Sequence, residues 1–246
     1  MVEVGMVGKQ SSHAGLVSLP TGIEERRSIY YALYREGKII TRDVPVLILV
    51  GEGVKPAGFV ACFGDKRPFE DSLKRLGLSF EVHKELPNGE TSYCISYDTN
   101  APKKAIGLAH MVDDEARELG RMLGFPSCCV EMYSHHIRAG LDTLRHNNLI
   151  NDVHVQQEMK KTGLGSHILN AIGLGHYVPC CTECETSREL VREYRKTLDV
   201  VWPGIKEHVL RHHYNLYSAQ FLRDEPGARV DLSPAQLLRE DTIVGV

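Results

Sequence analysis

No apolar stretch in this 246-residue chain approaches the ~20 residues that a membrane-spanning helix needs, and the unbroken run Val46 to Val50 is far shorter. The first residues also lack the basic-then-apolar pattern of a secretory signal, so the expected location is the cytoplasm and no membrane partner is expected. A large excess of either charge is missing too. With 29 Lys and Arg against 32 Asp and Glu, the formal charge of -3 gives no global positive field. A nucleic-acid partner is therefore not supported by net charge and would need a local basic patch.

Several motifs are absent as well. Gly163-Leu164-Gly165 and Gly173-Leu174-Gly175 lack the third glycine and the preceding strand of a dinucleotide fingerprint, and they bracket a short helix rather than forming a repeat. The C-x-x-x-C-x-x-C spacing of radical enzymes is missing, so that chemistry is not inferred. Nor do the seven cysteines form a regular framework of the secreted type: Cys62 and Cys94 stand alone, while five fall in two tight groups. In a reducing compartment such clusters point to metal ligation or thiol chemistry.

What is present is an ordinary globular composition, 42% hydrophobic and 25% charged, enough to bury a core. Apolar periodicity predicts a helix from Ile23 to Tyr34 and another from Pro68 to Leu76. Val46 to Val50, Phe59 to Phe63, Ser79 to His83 and Thr91 to Tyr97 read as strands, with Ala105 to Ala109 as one more. Beyond Asp113 the pattern becomes helical. Helices are expected after Asp113, from Cys128 to Ala139, Val153 to Lys161, Ser166 to Ile172 and Ser187 to Val201, with Pro203 separating the last from Ile205 to Phe221. The fold class is thus α+β: a mixed α/β, sheet-containing part over 1–110 and a mainly helical part over 111–246 that carries the cysteine-rich site. The first twenty residues read as a loose or substrate-adjacent arm, and the tail after Asp224 as extended or irregular.

The first cysteine group, Leu123-Gly124-Phe125-Pro126-Ser127-Cys128-Cys129-Val130-Glu131-Met132-Tyr133, places two thiols in the opening turn of a helix, with Ser127 as its cap. Unsatisfied amides and the helix dipole there favour thiolate. Adjacent helical positions diverge by about 100°, so one thiol is expected to ligate while the other packs or reacts, and Cys129 is the candidate for chemistry. The second group, His176-Tyr177-Val178-Pro179-Cys180-Cys181-Thr182-Glu183-Cys184, precedes a helix whose start is marked by Thr186 with Glu189 three residues later.

One C-x-x-C supplies two ligands, whereas zinc takes four and cubane clusters three or four, so a composite site joining both groups is the economical reading. Its candidate ligands are Cys128, Cys129, Cys180, Cys181, Cys184 and His176. The unequal, widely separated groups favour a [4Fe–4S] cluster, with zinc as the alternative. His135 and His136 lie two turns beyond the first pair, about 10.5 Å along the axis, which makes them candidates for proton transfer rather than ligation. His208 and His212, four apart on an expected helix, form a weaker second metal candidate.

The strings LGFPSCCVEMY and HYVPCCTECETS resemble an uncharacterised, largely archaeal family that carries LG-[FY]-P-x-CCV and a later P-C-x-x-x-C segment. The resemblance covers about the second half of the chain. It implies that Cys128, Cys129, Cys180 and Cys184 act as a set, with Cys181 as the point of departure, and it brings no activity. The functional expectation is a metal- or cluster-dependent enzyme, for sulfur transfer, desulfuration or Lewis-acid chemistry on a small-molecule or RNA-linked substrate. A zinc-stabilised binding protein for RNA or a protein partner is the first alternative. A metal-free thiol oxidoreductase is the second.

Overall fold

The computed structural model describes residues 22–109, 114–138 and 165–213. Helix α1 (Ile23–Arg35) carries Glu24 and Glu25 in its first turn and Arg35 in its last, matching the helix dipole at both ends. Its Ile29, Tyr30 and Leu33 are buried against α2 (Val44–Gly51). The Arg26 guanidinium donates twice to the Glu52 carboxylate, at 2.9 and 2.7 Å, and the Tyr30 hydroxyl donates to the same group, fixing α1 to the end of α2.

Val46 to Val50 lies in a helix, not in the strand that its β-branched residues predict. Every residue of α2 is buried, so the segment has no polar face to reveal a helical period. Pro45 sits at the helix start, where its missing N–H costs nothing. The expected strand over Ala105 to Ala109 is likewise replaced by α4 (Ala101–Leu108), entered through Pro102. In both segments a proline that looks like a strand or turn mark opens a helix instead.

The sheet is antiparallel, in the order β1 (Ala57–Phe63), β3 (Glu90–Ser96), β2 (Ser79–Glu85), with α3 (Arg67–Arg75) between β1 and β2 in the chain. The β2–β3 register shifts between Val82 and Lys84, which places His83 at an irregularity. A Cβ on Gly58 would meet Val46 Cγ1 at 2.3 Å, so glycine is what lets β1 lie close against α2.

Helices α5 (Asp114–Met122), α6 (Ser127–Arg138), α7 (His167–Gly175) and α8 (Glu185–Val201) follow, then α9 over 205–213. The architecture is α+β, a three-stranded sheet in the N-terminal half followed mainly by helices. One apolar core runs through both halves, joining Leu47, Ile48 and Val60 to Ile168, Leu174, Tyr194 and Leu198. Arg27 adds a polar clasp by donating to the carbonyls of Val200 and Val201 at the end of α8. None of the described helices is long and apolar enough to cross a membrane. The expected N-terminal arm, the helix over Val153 to Lys161 and the tail after Asp224 lie outside the described residues.

Candidate metal centre

Helix α6 begins at Ser127, directly after Pro126, whose carbonyl accepts from the Cys129 and Val130 N–H groups. Cys128 and Cys129 therefore occupy its first turn, Cys128 exposed and Cys129 buried. A Cβ on Gly120 would lie 2.8 Å from Val130 Cγ2, so this glycine lets α5 approach α6 and set its position. The second cysteine group forms the turn between α7 and α8. Cys184 is the N-cap of α8 with φ -62° and ψ 102°, and its carbonyl accepts from the Arg188 N–H at 3.0 Å. The helix opens two residues earlier than the Thr186 capping box predicts: Thr186 and Glu189 are both exposed inside it, and the tight cysteine turn sets the start.

These two helix starts meet. The sulfurs of Cys128, Cys129, Cys180 and Cys184 all lie within 4.8 Å of one another, a group that could hold a metal ion. Cys128 Sγ is 3.5 Å from Cys184 Sγ and 3.9 Å from Cys129 Sγ, and Cys129 Sγ is 3.8 Å from Cys184 Sγ. Although Cys128 and Cys129 are adjacent on a helix, side-chain rotation brings both sulfurs into one group, and neither turns away to pack alone. The separations far exceed a disulfide bond of ~2.05 Å, so all are free thiols.

Backbone groups around the cluster favour negative sulfur, and burial opposes it. The Cys180 backbone N–H donates to Cys129 Sγ at 3.3 Å, and the positive ends of α6 and α8 flank the cluster. Burial pushes the Cys184 thiol up, but the Ser187 backbone and the neighbouring thiols donate to it and bring it below the ordinary value. Burial raises Cys129, and burial with hydrogen bonds to Cys184 and Cys128 pushes Cys180 up to about 12. Tyr177 anchors the turn through its hydroxyl, 2.9 Å from Ser187 Oγ, and Arg188 braces it by donating to Thr182 O.

The remaining candidates lie elsewhere. Cys181 is exposed, with its sulfur 3.9 Å from Cys180 Sγ but outside the group of four. His176 points an imidazole nitrogen at the Arg42 carbonyl, 2.9 Å away, and lies 3.9 Å from Asp43 Oδ1. His135 and His136 fall in the last turns of α6, and their side chains are outside the described residues. His208 Nε2 is 3.0 Å from the Tyr34 hydroxyl, and among the described residues His208 and His212 belong to no group of converging ligands. Cys62 and Cys94 are buried in β1 and β3, where burial raises both thiols, Cys94 to about 12.

Beside the cluster opens a cavity of about 900 Å³, and Cys129 forms part of its wall. Two of its charged groups escape a sequence reading, Asp43 and Lys55, because such residues are ordinarily solvated. Lys55 is 2% exposed; its ammonium donates to Leu123 O at 2.7 Å and Gly175 O at 3.3 Å and lies 4.3 Å above the Phe125 ring. Burial pulls it down to about 7, while two carbonyls at helix ends and the ring face favour its charged form. It thereby pins the end of α5 to the end of α7 and fixes the spacing of the two cysteine segments.

Residues 103–200 match the family model described as a protein of unknown function, DUF483. The matched span runs from within α4 to within α8 and contains all four converging cysteines. It relates this part of the chain to an uncharacterised family and brings no activity with it. No curated protein and no solved structure matches the chain.

Proposed function

We propose that this protein binds one tetrahedral zinc ion through Cys128, Cys129, Cys180 and Cys184, and that the ion is structural. The observation that carries this reading is the spacing of the sulfurs. Four thiolates sharing one ion at ~2.3 Å sit on the corners of a tetrahedron with edges of ~3.8 Å. Among Cys128, Cys129 and Cys184 the separations of 3.5, 3.8 and 3.9 Å fit that edge, and Cys180 completes a group whose sulfurs all lie within 4.8 Å of one another. A cubane carries its thiolates on separate irons and spreads them well beyond one ion's shell, so the spacing supports zinc over a [4Fe–4S] cluster.

Four protein ligands leave no open position for substrate, which is the pattern of structural rather than catalytic zinc. When bound, the ion would neutralise thiolate charge and cross-link the turn before α8 to the start of α6. The chain does the rest: Pro126 and Pro179 bracket the two cysteine segments, the Cys180 N–H orients Cys129 Sγ, and Tyr177 holds the turn to Ser187. On this reading, catalysis or binding belongs to the neighbouring cavity, with a small molecule favoured over RNA by the charge of -3.

Anaerobic purification followed by zinc, iron and sulfide analysis tests it. Colourless protein with one zinc per chain supports the proposal. Brown protein with iron and acid-labile sulfide would replace it with the cluster, and metal-free protein with a reversible dithiol would replace it with a thiol oxidoreductase.

A further inference from the structure

Asp43 and His176 break two local rules at the same corner of the cavity. Asp43 stands at the N-cap of α2, where an aspartate ordinarily accepts from the first helical N–H groups, yet it makes no such bond. Its carboxylate turns away instead: Oδ2 accepts from the Ala61 N–H at 2.8 Å, and Oδ1 has only the Arg42 Nε at 3.3 Å and the His176 ring at 3.9 Å. The residue is 3% exposed and lines the cavity. A carboxylate has room for about four hydrogen bonds, so this buried one is only partly satisfied.

His176 ends α7 with φ 58°, and it is the one non-glycine residue in that conformation among those described. A helix end of this shape ordinarily takes glycine. The imidazole is retained at a conformational cost and placed beside Asp43, where backbone strain is a mark of function. The Arg42 carbonyl accepts from its Nε2–H, which leaves Nδ1 as an acceptor.

Asp43 therefore offers the cavity an acceptor with capacity to spare. The two cationic side chains of the lining are engaged: Lys55 by the two helix-end carbonyls, and Arg42 by Asp43 and by Glu90, 3.9 Å away. Rings of Phe59 and His83, 5.0 Å apart, and of Phe125 and Tyr177, 5.2 Å apart, contribute flat walls. We propose that this cavity is a small-molecule site that takes a planar amidine or amino-heterocycle, whose N–H donors are read by Asp43 with His176 beside it. The inference stands apart from the zinc proposal, because neither residue belongs to the thiol cluster.

Titration of the full-length protein with benzamidine and 2-aminobenzimidazole, followed by calorimetry, tests the assignment, with benzoate as the matched anion. Saturable one-to-one binding of at least one donor probe is expected, with no binding of benzoate. Asp43→Asn should weaken it by roughly tenfold or more, the loss of a charge-assisted hydrogen bond. His176→Gly relieves the strained backbone, so it should weaken binding without lowering the melting temperature. Metal content measured on the same samples should be unchanged in both variants. Failure of both donor probes to saturate in the millimolar range, benzoate binding equally well, or unaltered affinity in the variants would overturn the proposal. Probe binding to a protein found without zinc would leave it standing and remove only the metal reading.

Discussion

Four thiols at the starts of α6 and α8 lie against one another, whereas Asp43 and His176, at the start of α2 and the end of α7, face an open cavity. Both groups are polar side chains brought into a protein interior, and the difference lies in where their partners come from. In the cluster each sulfur has others within reach, so the set is complete once an ion is supplied. At the other corner the fold supplies Asp43 with the Ala61 N–H and a longer contact from Arg42, short of the four hydrogen bonds that a carboxylate can accept. A closed set of ligands is what a structural centre needs, and an unfinished one is what a binding site needs.

The largest expected effect separates the clustered cysteines from those in the sheet. Cys184→Ser should abolish stoichiometric metal and lower stability by about 3 kcal/mol or more, because binding of a structural ion is folding free energy. Metal analysis and denaturant unfolding of the same sample check this. Cys62→Ser and Cys94→Ser should cost ~1–3 kcal/mol each by burying a hydroxyl, with the metal content unaltered. Equal metal loss from both classes would erase the distinction.

A smaller effect of opposite sign is expected at Asp43, which burial, only partly countered by Arg42 and the Ala61 N–H, pushes up to about 6. Its folded value lies above the unfolded value of ~3.9. The stability it contributes is thus complete below the unfolded pKa and is lost as pH rises through about 6. Asp43→Asn should accordingly match the parent near pH 4 and be more stable by about 1–2 kcal/mol at pH 8. The difference between the two unfolding curves against pH isolates this residue. A variant less stable at pH 8 would mean that Asp43 serves the fold. The smallest effect belongs to Cys181→Ser: this exposed thiol lies outside the group of four, so metal content and melting temperature should both stay unchanged.

Much of this architecture was legible in the residues, for reasons that can be named. The strand-like runs Ser79 to His83 and Thr91 to Tyr97 correspond to β2 and β3, and the cysteine spacing points to two helix starts that have to meet if four ligands are to be found. Val46 to Val50 reads as a strand although it lies in a helix, because a helix buried on every side has no periodicity and short apolar runs do not separate helix from strand. Asp43 and Lys55 could not be found that way at all. Their burial follows from long-range packing, Asp43 against Ala61 and Lys55 against Leu123 and Gly175. His176 was visible only as a possible ligand, because the left-handed backbone that marks it is a property of how α7 ends.

X-ray absorption at the zinc edge reads the all-sulfur zinc site itself, and four sulfur scatterers at ~2.3 Å with no nitrogen or oxygen in the inner shell are expected. Absorption by iron with iron–iron scattering, or a zinc shell that includes a nitrogen or oxygen ligand, would contradict it.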